Sequence, residues 1–138
     1  MSDLWLAISP TCGTNYKMQK KNDKRIRLKA KIRAKIIGTS KCPRLSVFRS
    51  NKFIYAQVID DMAGKTLVQA NDLPRRVKAG VKITKGAKTE RAKQVGKMIA
   101  EAALGKKINK VVFDRNGFKY TGRIKLVADT ARAGGLKF

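Results

Sequence analysis

Three stretches of this chain carry side chains that could engage a partner, and all three suit an anionic one. The first is the run from Lys17 to Lys35, which holds ten Lys or Arg against one acid, Asp23. Its cations after Lys17 are Lys20, Lys21, Lys24, Arg25, Arg27, Lys29, Lys31, Arg33 and Lys35. Cations at this density neutralise phosphates and release counterions, so they supply affinity that falls steeply with salt. The signal is strong for a polyanion and unspecific as to which one, because a solvated basic tail has the same composition. The second stretch is RSNKFIY at 49–55, preceded by Arg44. Arg49 and Lys52 can meet phosphates, and Ser50 and Asn51 add hydrogen-bonding groups. Phe53 and Tyr55 fall on one face of an alternating run, where rings beside cations suit unstacked bases. The competing reading is that these rings only cover a sheet face under a helix.

The third stretch is DRNGFKYTGRIK at 114–125. Asn116 and Gly117 permit positive φ in a tight turn. Gly122 stands at the start of an expected helix, whose free N–H groups and dipole attract phosphate. Arg115, Lys119, Arg123 and Lys125 add charge there, and Phe118 and Tyr120 add rings. An ordinary polar strand-to-helix loop would look similar. Asp114 has no partner carboxylate, base or metal ligand nearby in sequence, so an Arg-pairing or capping role is expected of it.

Composition sets the limits on chemistry. The chain has 138 residues, 33 Lys and Arg, nine Asp and Glu, and a formal net charge of +24. A compact body with that surplus repels itself, so a polyanion is expected as its partner. Nucleic acid is the first candidate, an anionic membrane surface the second and an acidic protein the third. No apolar run approaches the roughly 18 residues of a spanning helix, and the N-terminal segment lacks the pattern of a secretion signal. A cytoplasmic or equivalent location is expected. Histidine is absent, which removes the usual base near neutral pH. The two cysteines, Cys12 and Cys42, form no metal-ligand spacing, so no zinc and no cofactor are expected.

Elements must then position the basic stretches. The segment 26–36 alternates apolar and basic residues as a strand would, yet Leu28, Ile32 and Ile36 also share a helix face. Good helix formers favour a helix, ended by Gly38 and Pro43. Leu45 and Val47, then Ile54, Ala56 and Val58, then residues 66–70 predict a three-stranded antiparallel meander. A helix is expected over 89–104, capped by Thr89, with Ala92, Val95, Ile99 and Ala102 inward. Residues 110–114 suit a buried strand, and 122–132 a last helix with Ile124, Val127, Ala128 and Ala131 inward. The fold class is α/β: a mixed sheet in βββαβα order, helices packed on it, behind a basic N-terminal arm. The expected organisation is an unstructured extension at 1–17, an RNA-binding arm at 18–42 and a globular domain at 43–138.

Several of these segments together resemble a family. PRLSVFRSNK at 43–52, IYAQVIDD at 54–61, KVVFDRNG at 110–117 and ARAGGLKF at 131–138 closely resemble ribosomal protein eighteen of the bacterial-type large subunit. The resemblance runs from about Lys20 to the C-terminus in the same order. It implies an α/β/α fold without enzymatic activity. It also implies binding to 5S rRNA, with 23S rRNA and the proteins of the central protuberance as neighbours. Phe53 stands where that family commonly has histidine, which keeps stacking surface and removes a hydrogen bond.

Two other classes share the charge. A DNA-compacting protein would need a helix-turn-helix or dimer-forming heptads, and neither is visible. A nuclease would need a carboxylate cluster for Mg²⁺, and Asp60 and Asp61 with distant Asp114 give thin support. No DNA and no membrane partner are expected.

Overall fold

A computed structural model describes residues 14–73 and 86–138, with the backbone alone for 14–22. Cys12, most of the N-terminal extension, the side chains of Lys20 and Lys21, and the connection at 74–85 lie outside the described residues.

Alternation in the first three strands is set by the core. β1 (Arg44–Arg49), β2 (Ile54–Asp60) and β3 (Lys65–Asn71) form the antiparallel meander. Leu45, Val47, Ile54, Ala56, Val58, Val68 and Ala70 all point to one side and are buried. The helix α2 (Lys88–Gly105) then carries the chain across the sheet, so that β4 (Val112–Asp114) joins β1 in parallel. A parallel neighbour requires such a crossover. The sheet order is β3-β2-β1-β4. The last helix, α3 (Arg123–Ala133), lies beside α2, and both cover the same face. The sequence-predicted α/β class and strand order therefore hold.

Helix detail departs from expectation in two places. Thr89 does not cap α2; Ala87 holds the N-cap position and no side chain caps it. Ala102 is exposed, and the buried positions are Ala92, Val95, Gly96, Ile99, Ala100 and Ala103. The cause is the neighbouring helix rather than the sheet. A methyl on Gly96 would overlap the Thr130 side chain, and one on Gly134 would lie 2.5 Å from the Ala100 methyl. Small residues let α2 and α3 approach closely, and this rotates the inward stripe of α2 towards Ala100 and Ala103.

The arm is helical over α1 (Thr14–Arg33), so it stops before Gly38 and Pro43. Its expected apolar face is only partly covered: Leu28 is 44% exposed, and Ile32 and Ile36 are half-buried. Among the described residues α1 is the only helix beside the second face of the sheet. That face is lined by Ser46, Phe48, Tyr55, Gln57 and Ile59, with Lys29 and Arg33 of α1 along its border. Both helices packed on the sheet, α2 and α3, lie on the first face, so the α/β/α layering implied by the resemblance is reduced here to two layers and an arm.

Candidate nucleic-acid interface

The helix α1 meets the body through cations. The Arg25 guanidinium lies 5.0 Å from the Phe118 ring centre and 5.5 Å from that of Phe48. Arg49 approaches Phe118 at 5.4 Å. Phe118 packs edge-on to Phe48 at 5.8 Å, and Phe48 is tilted against Tyr55 at 6.0 Å. Such cation–ring contacts contribute about 0.5–1 kcal/mol each at exposed sites. Arg25, Lys29 and Arg33 are four residues apart, so one face of α1 presents all three.

The loop after β4 seats this helix. Asn116 and Gly117 have φ of 52° and 78°, as their residue types predict. The tight turn brings Gly117 against the α1 backbone, and a Cβ there would stand 2.6 Å from the Arg25 carbonyl oxygen. Asp114 is fully buried. Its Oδ2 accepts from Arg44 Nη1 at 2.9 Å and from Arg33 Nε at 3.5 Å, and its Oδ1 accepts from the Asn116 amide at 2.8 Å. The Arg-pairing expectation for Asp114 is met.

Arg44 is corrected by the same network. It is 6% exposed and donates to Asp61 at 2.6 and 2.8 Å as well as to Asp114. Its guanidinium is consumed by two carboxylates, so it is a structural residue and leaves the set of ligand-contacting candidates. Asn116, 8% exposed, serves the turn in the same way.

The Arg44 guanidinium also holds the Asp61 carboxyl down at about 2, from an ordinary 3.8, chiefly by hydrogen bonding and with help from the Gly38 amide against the opposing effect of burial. A depressed folded-state value means stability that is present above the unfolded pKa and lost as pH falls towards the folded one. Asp61→Asn is therefore expected to melt below wild type at pH 7, with the gap closing between about pH 4 and pH 2. Thermal melts at constant ionic strength check this; a gap independent of pH would mean that the charge of Asp61 is not what matters.

A second cationic group surrounds the β1–β2 hairpin tip. The Ser50 hydroxyl and amide bond within the tip to Phe53, which leaves Asn51 and Lys52 exposed. Arg123 Nη2 donates to the Ser50 carbonyl at 3.3 Å, and Arg91 Nη2 to that of Lys52 at 3.3 Å. Burial, then the nearby Arg49, hold Arg123 below its ordinary pKa, with Arg91 adding to the effect and Asp72 opposing it. Gly122, with φ of 57°, opens α3 onto free space.

Tyr120 is not brought to this surface. It stands edge-on to Phe113 at 5.9 Å, and its hydroxyl accepts from Arg132 Nη1 at 3.0 Å. Phe113 is level with Leu45 in the parallel pair, on the helix-covered side. Lys24, Arg27, Lys31 and Lys35 are exposed along α1 and just beyond it, and Arg115 is half-buried. Sequence reasoning missed Arg91, Phe48 and Gln57. For the last two, strand alternation opposite Val47 and Ala56 was a usable signal; for Arg91, none existed.

A family model for ribosomal L18 of archaea, bacteria, mitochondria and chloroplast matches residues 19–138. The chain belongs to the ribosomal L18 family. Members of this family are structural and not enzymes, and the same holds for this chain. Its relatives include the large ribosomal subunit protein uL18 of Pediococcus pentosaceus, 55% identical over 118 residues that cover 86% of this chain and 95% of the relative. That of Pseudothermotoga lettingae is 55% identical over 124 residues, covering 88% and 100%. That of Bacteroides thetaiotaomicron is 52% identical, again covering 88% and 100%. The matched residues of the L18 model contain the hairpin tip, the 114–118 turn and all the described side chains of α1. No helix among the described residues is long and apolar enough to cross a membrane.

Proposed function

We propose that this L18 protein is a structural constituent of the large ribosomal subunit that binds 5S rRNA and helps attach it to 23S rRNA in the central protuberance, beside neighbouring subunit proteins. The observation that carries the reading is the open sheet face, where Arg25 and Arg49 flank Phe118 and the basic helix α1 runs along the border. Rings beside guanidinium groups suit unpaired bases, and the cations of α1 suit the phosphates on either side. The contacts proposed are Lys20, Lys21, Lys24, Arg25, Arg27, Lys29, Lys31, Arg33 and Lys35 from the arm, Arg49, Ser50, Asn51, Lys52 and Tyr55 from the hairpin, and Arg115, Gly117, Phe118, Gly122 and Arg123 from the last loop. No chemistry is performed; shape and charge hold two RNAs in place.

Binding to folded 5S rRNA and to duplex DNA of equal length at physiological salt tests the reading. Much tighter binding to 5S rRNA is the expected result. Equal affinities would leave only nonspecific electrostatics and sink the assignment.

A further inference from the structure

A groove of about 420 Å³ lies between α1 and the open face of the sheet. Its volume falls in the range of small-ligand sites, roughly 300–1,000 Å³. The floor is ordered by strand register. Phe48 faces Tyr55 across the β1–β2 pair, and one step along, Ser46 faces Gln57. A step of two residues is about 7 Å. The floor thus has an aromatic half and a hydrogen-bonding half, one base-width apart. Lys29 and Arg33 form the α1 wall. Among the described residues no hydrogen bond ends on the Gln57 amide, the Tyr55 hydroxyl or the Lys29 ammonium, so all three are available to a ligand. Burial, then the charges of Arg33 and Arg25, lower the pKa of Lys29, a strain that an anion beside it would relieve.

We propose that this groove takes one unstacked nucleotide of the bound RNA: the base rests on Tyr55 and Phe48, its edge meets Gln57 and Ser46, and its phosphate meets Lys29 and Arg33. The proposal rests on the RNA-binding reading and names what this part of the surface holds. An amide offers both a donor and an acceptor, so Gln57 can read a base edge. A duplex cannot enter, because its bases stay stacked and offer no free ring face to Tyr55 and Phe48. An acidic peptide would satisfy the cations and leave the ring pair and the amide unused.

The test uses the full chain, with transcribed 5S rRNA and a perfect RNA duplex of equal length as probes. Tyr55→Leu is expected to weaken 5S rRNA binding about 5- to 100-fold, the range for one stacked base. Gln57→Leu is expected to weaken it about 5- to 10-fold. Neither should change duplex binding or the salt dependence, and Tyr55→Phe should retain binding. Chemical probing should find an unpaired base shielded by wild type and exposed with Gln57→Leu. If wild type prefers 5S rRNA while Tyr55→Leu and Gln57→Leu both bind like wild type, the groove is overturned and the RNA-binding reading stands. Equal loss on both probes also overturns it, since a bulk surface effect would then suffice. If wild type shows no preference for 5S rRNA, the reading beneath the proposal fails and the groove fails with it. Both positions are half-buried on the open face and outside the core; should Tyr55→Leu lower the melting temperature, Gln57→Leu decides.

Discussion

Asp114→Ala is expected to cost about 3 kcal/mol of stability, near the lower end for breaking a buried ion pair from one side. The residue is fully buried, and its carboxylate holds Arg44, Arg33 and the Asn116 amide. Truncation leaves the Arg44 guanidinium inside the protein with Asp61 as its remaining carboxylate, which is why the loss stays below the upper end of about 5 kcal/mol. The left-handed turn at Asn116 and Gly117 also loses the acceptor that closes it. Denaturant unfolding measures the effect. Asp114→Asn keeps the shape and part of the hydrogen bonding, so an intermediate loss is expected. Combining Asp114→Leu with Arg44→Met removes both charges, and the double variant should be more stable than the sum of the single losses predicts. Strict additivity would mean that the two residues do not act as a pair. Because Arg33 joins the same carboxylate, Asp114→Ala should also weaken RNA binding by loosening α1.

Removing residues 18–37 is expected to produce the largest change in RNA affinity while leaving a folded body. The segment holds nine of the 33 Lys and Arg, and the core cluster takes none of its residues from it. If six phosphates are engaged, the slope of log K against log salt should become shallower by about 4–5, and affinity at low salt should fall by on the order of a thousandfold. The melting temperature should drop by only a few degrees, since the arm contributes cation–ring contacts and one long ion pair. An unchanged salt slope would show that α1 does not touch phosphates, and loss of cooperative unfolding would show that it belongs to the core. Removal of residues 1–13, which contain no Lys or Arg, is the control and should leave the slope alone. Gly117→Val reaches the same helix without altering charge. Valine at φ of 78° is strained by about 1–2 kcal/mol, and its Cβ would press on the Arg25 carbonyl. RNA binding should weaken about tenfold with the net charge intact, whereas Lys137→Ala should have little effect. Weaker binding that merely tracks unfolding in the melt would not support a seated arm.

The sequence by itself determined the class of partner, the element order and the inward residues of the strands. Charge surplus is a sum over residues and needs no coordinates. Strand alternation has a period of two, so Leu45 and Val47 name the buried face and Phe48 the other without knowledge of neighbours. The turn at Asn116 and Gly117 was equally legible, because local backbone sterics alone demand those types. What only the tertiary structure decided is which cations are free and which are used. Arg44 and Arg49 look alike in sequence, five residues apart on one strand. Asp61 and Asp114, 17 and 70 residues away, close around the first and leave the second over Phe118. The face of α1 that meets the body was hidden for the same reason. Its Leu and Ile spacing suggested apolar packing, yet the surface opposite offers rings and a buried carboxylate, so Arg25 and Arg33 are the residues that dock. Pairing across such separations depends on the complete fold, because no local preference ties an arginine to a partner 81 positions away, as Arg33 is tied to Asp114.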